Sequence, residues 1–173
     1  GLRGNTIVVF QCDQGHSTEL RAHGGGSSGP YQGAKGGLYE GGLRVPAIIS
    51  WPGHLAENQV RGQMATGCDW YPTILELCKL PAAKHRIDGK SLLPILTEAD
   101  SLSAHQNFYW KFRDAWVVRE GEWKLIVSDK KTELYDIPND PGETTNLVAE
   151  FPEVVTRLTN AGREYKSRTV LYK

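Results

Sequence analysis

The spacing of apolar residues changes along this chain and predicts where strands and helices lie. Residues 5–11 (NTIVVFQ) form an almost unbroken run of β-branched and aromatic side chains, which is typical of a strand buried on both faces in a parallel sheet. Residues 70–80 repeat apolar groups at helical spacing behind a capping residue, Asp69, and predict an amphipathic helix. Residues 92–96 predict a short helical or turn segment. The first hundred residues therefore indicate an α/β arrangement.

From residue 106 onward the pattern becomes that of a small antiparallel sheet. Four short apolar runs alternate with turn-forming residues and predict strands at 107–112, 115–119, 123–127 and 132–135. A final amphipathic helix is expected over residues 152–166. We place a domain boundary near residues 101–105. It divides the chain into residues 1–104, the end of an α/β domain, and residues 105–173, an antiparallel subdomain with its covering helix.

Composition and charge exclude several classes of partner. The chain has 173 residues, and its 20 Lys and Arg balance its 20 Asp and Glu. This balance gives no basic field and argues against nucleic acid, and no apolar run approaches the length of a membrane span. The amino terminus has neither a Met nor a signal-like apolar segment and runs at once into a core strand, so we expect a piece of a longer protein. An exposed sheet edge at that strand would favour homo-oligomers.

A polar cluster follows the first strand directly. Residues 12–26 (CDQGHSTELRAHGGG) bring together acidic, amide and histidine side chains. In open α/β sheets ligands bind outside the carboxyl ends of the strands, so Asp13 lies where chemistry is expected. The residues alone leave a second interpretation open, in which this is a polar loop that only ends the strand.

A glycine-rich stretch, residues 24–55, overlaps and extends this cluster. It does not match the phosphate-binding pattern G-x-x-x-x-G-K-[ST], because Lys35 is followed by glycine. Its glycines permit a long irregular loop that holds Lys35 and Glu40 close to the end of the first strand. A flexible linker is the alternative, but interleaved large apolar residues such as Tyr31 and Leu38 argue against it.

Several motifs with fixed spacing extend the pattern along the chain. They are DQGH at residues 13–16, GAKGGLYEGGLRVP at 33–46, WPG at 51–53, LYD at 134–136, DPGE at 140–143 and NL at 146–147. Together they resemble the carboxyl half of a type I sulfatase, within the alkaline phosphatase superfamily, over nearly the whole chain. The resemblance implies the C-terminal part of an alkaline-phosphatase-like α/β sandwich, followed by an antiparallel sheet of about four strands with a C-terminal helix.

The resemblance also implies roles for individual residues. Family members bind a divalent cation, usually Ca²⁺, through oxygen ligands, and Asp13 and Gln14 match two of these, with Gln14 where Asn is usual. Lys35 matches the lysine that contacts the sulfate ester, and it is the candidate for both catalysis and substrate binding. Three histidines are further candidates for contact with the substrate, His16, His23 and His105. His16 and His23 could equally cap or pack a loop, whereas His105 lies where the antiparallel subdomain could lean over the substrate pocket.

The nucleophile of the family has no counterpart in this chain. Type I sulfatases use a formylglycine made from Cys or Ser in C/S-x-P/A-x-R, and none of Cys12, Cys68 and Cys78 begins such a motif. The serine case at residues 50–54 (SWPGH) ends in His rather than Arg. We therefore expect an intact parent that hydrolyses sulfate monoesters of sugars or aryl groups, and no turnover by the chain alone.

Two other functions remain as alternatives to the sulfatase interpretation. The chain could be a non-catalytic module that keeps the sulfatase scaffold and binds a sulfated sugar or a partner chain. A phosphatase or phosphonate hydrolase of the same superfamily is disfavoured, because such enzymes usually need a second metal ion and more histidine ligands than Asp13 and His16 offer.

Overall fold

The computed structural model describes residues 1–18 and 25–169 of the chain. Their contacts form two compact units, each made of two separate stretches. The first unit is Gly1–Gln11 with Pro46–Gln106, and the second is Cys12–Val45 with Asn107–Lys173. The segment that follows the first strand thus belongs with the carboxyl-terminal sheet. The division into domains 1–104 and 105–173 stays a prediction.

The regular elements follow one another in a simple order. They are β1 (Val8–Gln11), α1 (Glu40–Leu43), β2 (Ala47–Ser50), α2 (Trp70–Leu77), α3 (Leu93–Thr97), β3 (Asn107–Phe112), β4 (Ala115–Glu120), β5 (Trp123–Val127), β6 (Thr132–Asp136) and α4 (Pro152–Thr169). Short 3-10 turns lie at Leu2–Asn5 and Gly67–Asp69. Within residues 1–18 and 25–169, no helix has the length and apolar character needed to cross a membrane.

Strand β1 differs from its prediction. It pairs with β2 alone among the described residues, and the pair is antiparallel. Its apolar side chains are exposed, to 46% for Val8, 37% for Val9 and 56% for Phe10. The expected parallel pairing is therefore wrong for the described residues, because a run of apolar residues does not show which segment pairs with it. The exposed side chains agree with the exposed sheet edge that the sequence predicts at this strand. Association of copies through this edge stays a prediction.

The two helices of the first unit are confirmed with changed details. Helix α2 ends before the predicted residue 80, because Lys79 adopts a left-handed conformation with φ of 54°. Asp69 makes no side-chain cap on α2. Its carboxylate instead accepts the backbone N–H of Thr66 at 2.7 Å and of Lys90 at 2.8 Å. Helix α3 confirms the short helical segment expected near residues 92–96.

The second unit contains the predicted antiparallel sheet. Its strands lie in the order β3-β4-β5-β6, and each neighbouring pair is antiparallel. All four strands begin where the sequence predicts and end within one residue of the predicted position. Helix α4 begins at the predicted Pro152 and continues three residues beyond the predicted end.

Both faces of this four-stranded sheet are covered. The face toward α4 forms one buried cluster, Val118, Leu125, Leu134, Val154 and Leu158. The opposite face forms a second cluster, Val117, Ile126, Tyr135 and Ile137, with Leu38, Tyr39 and Trp110 packed against it. Successive residues of a strand point to opposite faces, so the alternation of each strand supplies both clusters at once. The second cluster anchors the segment that leads into α1.

Candidate functional site

Three glycines allow the loop after β1 to lie directly against helix α1. A methyl group on Gly15 would come within 1.8 Å of the Gly41 carbonyl oxygen. A methyl group on Gly41 would lie 2.5 Å from the Gln32 carbonyl oxygen, and one on Gly42 would lie 2.5 Å from the Ala34 carbonyl oxygen. Because none of these positions has room for a side chain, the backbones themselves are in contact. We call residues 13–16 and 32–37 the site loops.

Three backbone hydrogen bonds hold the site loops and α1 together. They run from Gly41 N–H to Gln32 O (2.7 Å), from Gly15 N–H to Gly42 O (3.1 Å) and from Lys35 N–H to His16 O (3.0 Å). The third bond joins the backbone of Lys35 directly to the loop that carries Asp13 and Gln14. The structure therefore brings the backbones of four predicted site residues, Asp13, Gln14, His16 and Lys35, into one packed arrangement.

The side chains of these residues differ in exposure. Asp13 and Lys35 are exposed, whereas Gln14 is half-buried and its Nε2 lies 3.5 Å from Asp13 Oδ2. Lys35 forms no ion pair with any acid in residues 1–18 and 25–169. An exposed ammonium group can contact an anionic ligand.

Two of the predicted histidines belong to the segment around the site loops. His16 is half-buried, and its Nδ1 is buried without a hydrogen-bond partner in the described part of the chain. A buried polar atom without a partner is uncommon in folded proteins, so this nitrogen is suited to contact a ligand. His23 lies outside the described residues.

The oxygen donors of the first site loop fit part of a Ca²⁺ site. The Asp13 carboxylate contacts the Gln14 amide and makes no ion pair within the described ranges. Carboxylate and amide oxygens are ligands that Ca²⁺ accepts, and the ion takes about six to eight of them. The described residues contain no group of three or more His, Cys, Asp or Glu that could hold a metal ion. Asp13 and Gln14 are therefore too few to form such a site by themselves, and their binding of a cation stays a prediction.

His105 lies in the first unit and contacts a buried acid. Its Nε2 is 2.8 Å from Asp69 Oδ1, and the Asp69 side chain is fully buried. The same carboxylate accepts the two backbone N–H groups that lie near the start of α2 and before α3. This contact gives His105 a structural role within its unit. Its contact with a substrate stays a prediction.

A buried ion cluster lies at the start of α1, and the sequence analysis does not identify it. Glu40 Oε1 is 2.9 Å from Lys124 Nζ, and Glu40 Oε2 is 2.8 Å from Arg119 Nη1. Lys124 Nζ is also 2.8 Å from Glu143 Oε1. The other oxygen of Glu143, Oε2, accepts the backbone N–H of Glu40 at 2.6 Å. We call these four residues the ion cluster.

Strand alternation contains a signal that could have identified the ion cluster. Arg119 and Lys124 fall on the same face of their strands as Val117 and Ile126, which lie in a buried cluster. A charged residue on a buried face requires a partner, because an isolated buried charge is very unfavourable. The acids of the YEGG and DPGE motifs are the partners that the structure supplies.

The two carboxyl groups of the ion cluster are perturbed in opposite directions. Burial alone would raise the pKa of Glu40, but the charges of Lys124 and Arg119 outweigh burial and hold this pKa below its usual value of 4.5. Burial and, to a smaller extent, the nearby Glu40 carboxylate raise the pKa of Glu143, whereas the charge of Lys124 lowers it. The net effect is a raised pKa for Glu143. The surroundings therefore favour the ionised form of Glu40 more strongly than that of Glu143.

A second polar group holds Tyr39, the residue before Glu40. The Tyr39 hydroxyl lies 3.0 Å from Glu133 Oε2 and accepts a hydrogen bond from Lys131 Nζ at 2.8 Å. Lys131 Nζ and the Tyr135 hydroxyl both donate to Glu133 Oε1, at 2.9 and 2.8 Å. These residues border an open depression of about 600 Å³ on the second unit. Tyr39 and Glu40 are thus both fixed by polar contacts with the sheet.

Comparison with known proteins identifies the family. The family profile described as "N-sulphoglucosamine sulphohydrolase, C-terminal" matches residues 33–164. The chain belongs to the sulfatase family. The matched part of this sulfatase chain includes Lys35, helix α1 and the whole four-stranded sheet.

Individual relatives agree with this assignment. The sulfatase chain is 35% identical over 176 residues to a sulfatase of Formosa agariphila, covering 90% of the chain and 31% of the relative. It is 31% identical over 190 residues to arylsulfatase A of Homo sapiens, covering 91% of the chain and 37% of the relative. A protein solved in complex with its substrate D-glucosamine-2-N,6-O-disulfate matches with a TM-score of 0.73 and 23% identity, over 98% of this chain and 36% of that chain.

These matches confirm the predicted family and fold class. The chain spans about a third of the length of the curated relatives it matches, and it corresponds to the carboxyl-terminal region of a sulfatase. The likeness to the solved structure supports the fold of the chain.

Proposed function

We propose that this chain is the carboxyl-terminal part of an enzyme that hydrolyses sulfate monoesters with a formylglycine nucleophile and Ca²⁺. In that enzyme Lys35 contacts the sulfate group, and Asp13 and Gln14 provide oxygen ligands to the cation. The reaction consumes one water molecule and releases the free alcohol and inorganic sulfate. The nucleophile belongs to a segment outside these 173 residues, so the chain alone has no turnover.

The position of Lys35 is the observation that carries this proposal. Its backbone N–H donates to His16 O at 3.0 Å, while its side chain is exposed and makes no ion pair in the described ranges. An ammonium group on a fixed backbone can stabilise the negative charge that develops on the non-bridging sulfate oxygens. A lysine on a mobile loop would have to be ordered in each turnover, at a cost in rate.

Asp13 and Gln14 serve the cation in this proposal. A bound Ca²⁺ would withdraw charge from the ester oxygens. The Asp13 carboxylate balances part of the ion's charge, and the Gln14 amide offers a neutral oxygen. Because these two residues supply only part of the usual ligand number, the remaining ligands belong to the rest of the parent protein.

The proposed substrate is a sulfated sugar or an aryl sulfate. The human relative is named an arylsulfatase, and the structural neighbour binds a sulfated glucosamine. The buried Nδ1 of His16 has no hydrogen-bond partner among residues 1–18 and 25–169, and we assign His16 to the alcohol part of the substrate. We extend the same role to His23 and His105 as proposals.

Aryl sulfate hydrolysis by the parent protein tests the proposed function. The intact parent, matured so that its formylglycine is formed, and the isolated 173-residue chain are assayed side by side for release of the aryl alcohol. The expected result is turnover by the parent and none by the chain. A parent that binds a sulfated sugar but releases no sulfate would be the non-catalytic module, and this result would overturn the proposal.

A further inference from the structure

Helix α1 is too short to hold its own position. It has four residues, Glu40–Leu43, and a helix of this length is not stable by itself in water. Its first residue is instead held at three points, through both carboxylate oxygens of Glu40 and through its backbone N–H. All three contacts come from the ion cluster. The position of α1 therefore depends on Arg119, Lys124 and Glu143.

Helix α1 in turn determines where the site loops lie. Its second and third residues, Gly41 and Gly42, make the backbone hydrogen bonds to Gln32 and Gly15. The packing at these glycines leaves no free space, since a methyl group on Gly15 would lie 1.8 Å from the Gly41 oxygen. A shift of α1 must therefore displace both site loops.

We propose that Arg119, Lys124 and Glu143 are positioning residues for the sulfatase site, acting through Glu40 and α1 on Lys35 and Asp13. This inference rests on the proposed function, because the ion cluster would position residues whose roles in sulfate ester hydrolysis are themselves proposed. None of the three residues touches the substrate or the cation in this account. They act from strands β4 and β5 and from the loop after β6.

The chemistry of the ion cluster fits positioning better than it fits stabilisation alone. A buried ion pair contributes little net stability compared with well-packed apolar residues of the same volume. Charge-assisted hydrogen bonds, in contrast, are short and directional, and Glu40 accepts one from Arg119 and one from Lys124. The Glu40 carboxylate has one cation on each oxygen, which fixes both the place and the rotation of this side chain.

The test compares variants of the ion cluster with variants that change stability or charge elsewhere. Glu143→Gln replaces the carboxyl group that faces Lys124 by an amide and nearly preserves the shape of the side chain. Arg119→Gln removes the half-buried guanidinium group that contacts Glu40. It serves as a second test of the inference if Glu143→Gln does not fold. Glu150→Gln makes the same chemical change at an exposed residue. Val154→Ala lowers stability from the opposite face of the sheet.

Two measurements are made on each variant of the parent protein. Hydrogen exchange of peptides covering the site loops reports whether α1 still holds them, and kcat and KM for an aryl sulfate report the reaction. For Glu143→Gln and Arg119→Gln we expect loop exchange at least tenfold faster and kcat at least tenfold lower, with KM changed less than threefold. Glu150→Gln and Val154→Ala should leave loop exchange and kcat close to those of the unmodified protein.

Two outcomes separate the inference from the proposed function. If Glu143→Gln and Arg119→Gln lower the melting temperature but match Val154→Ala in loop exchange and kcat, the ion cluster is only structural and the inference is wrong. If the unmodified parent has no turnover, the proposed function fails. Loop exchange then still decides whether the cluster holds the site loops.

Discussion

Replacing Gly15 by alanine tests whether the first site loop is packed against α1 by its backbone. The new methyl group would lie 1.8 Å from the Gly41 carbonyl oxygen and 2.8 Å from the Gly41 carbonyl carbon. Ordinary van der Waals contacts of this kind begin at 3.4 Å. Both contacts are with backbone atoms, which cannot rotate away as a side chain can. The loop must therefore move by on the order of 1.5 Å.

The cost of this movement follows from two contributions. Overpacking in a well-packed region costs about 1–3 kcal/mol. Separating the loop from α1 also breaks the hydrogen bond from Gly15 N–H to Gly42 O, which contributes about 1 kcal/mol. We therefore expect Gly15→Ala to weaken the packing of the first site loop by about 2–4 kcal/mol.

Urea unfolding and hydrogen exchange of the site loops measure this cost. The matched control is Gly62→Ala, because a methyl group on Gly62 meets no atom within 4 Å. If the loop unfolds only together with the rest of the protein, the weaker packing lowers the free energy of unfolding. If the loop opens by itself, the weaker packing appears as faster hydrogen exchange at the loop amides. If Gly15→Ala stays within about 0.5 kcal/mol of Gly62→Ala in both measurements, the backbone-packing argument is refuted.

Three further predictions follow from single residues. Gly162→Ala places a methyl group 2.5 Å from Trp116 Cζ3, and this overpacking should outweigh the gain in helix propensity of about 1 kcal/mol. The variant should therefore be less stable in urea unfolding, and a higher stability would contradict this. Burial acts to raise the pKa of Glu133, but hydrogen bonds led by that from Lys131 hold the net pKa below 4.5. Its stabilising effect is therefore present at neutral pH and lost as the pH falls below 4.5 through the lowered value, and Glu133→Gln should flatten this acid limb in pH-dependent unfolding. Calorimetry should find that the isolated chain binds Ca²⁺ only weakly, on the order of millimolar, and that Asp13→Ala removes this binding, whereas micromolar binding would mean that the chain holds more of the ligands.

The second unit could be predicted almost completely from the sequence. Its strands are short apolar runs, and residues that favour turns separate them, so local chemistry alone sets their bounds. The glycine at Gly121, with φ of 56°, lies in the turn between β4 and β5, as the Glu-Gly pair predicts. Helix α4 could be predicted in the same way, because its apolar residues recur at helical spacing.

The surroundings of β1 and the ion cluster could not be predicted in this way. The apolar run of β1 indicates a need for cover, but the pairing partner is decided by contacts distant in sequence. The ion cluster joins Glu40 to Lys124 and Glu143, which lie 84 and 103 residues further along the chain. Such pairings depend on the tertiary fold. The glycine-rich pattern did predict that the segment of Lys35 and Glu40 lies close to the loop after β1, because that close packing depends on glycines that the sequence shows directly.

Kinetics of Lys35→Ala in the intact parent test the central claim most directly. The claim is that Lys35 stabilises charge on the sulfate group, so its removal should lower kcat/KM for an aryl sulfate by roughly 10²–10³, as for loss of one preorganised donor. The matched control is Lys130→Ala, which removes an exposed lysine at the turn between β5 and β6 and should change kcat/KM less than about twofold. A Lys35→Ala enzyme within a few-fold of the Lys130→Ala enzyme, or robust turnover by the 173-residue chain alone, would contradict the account.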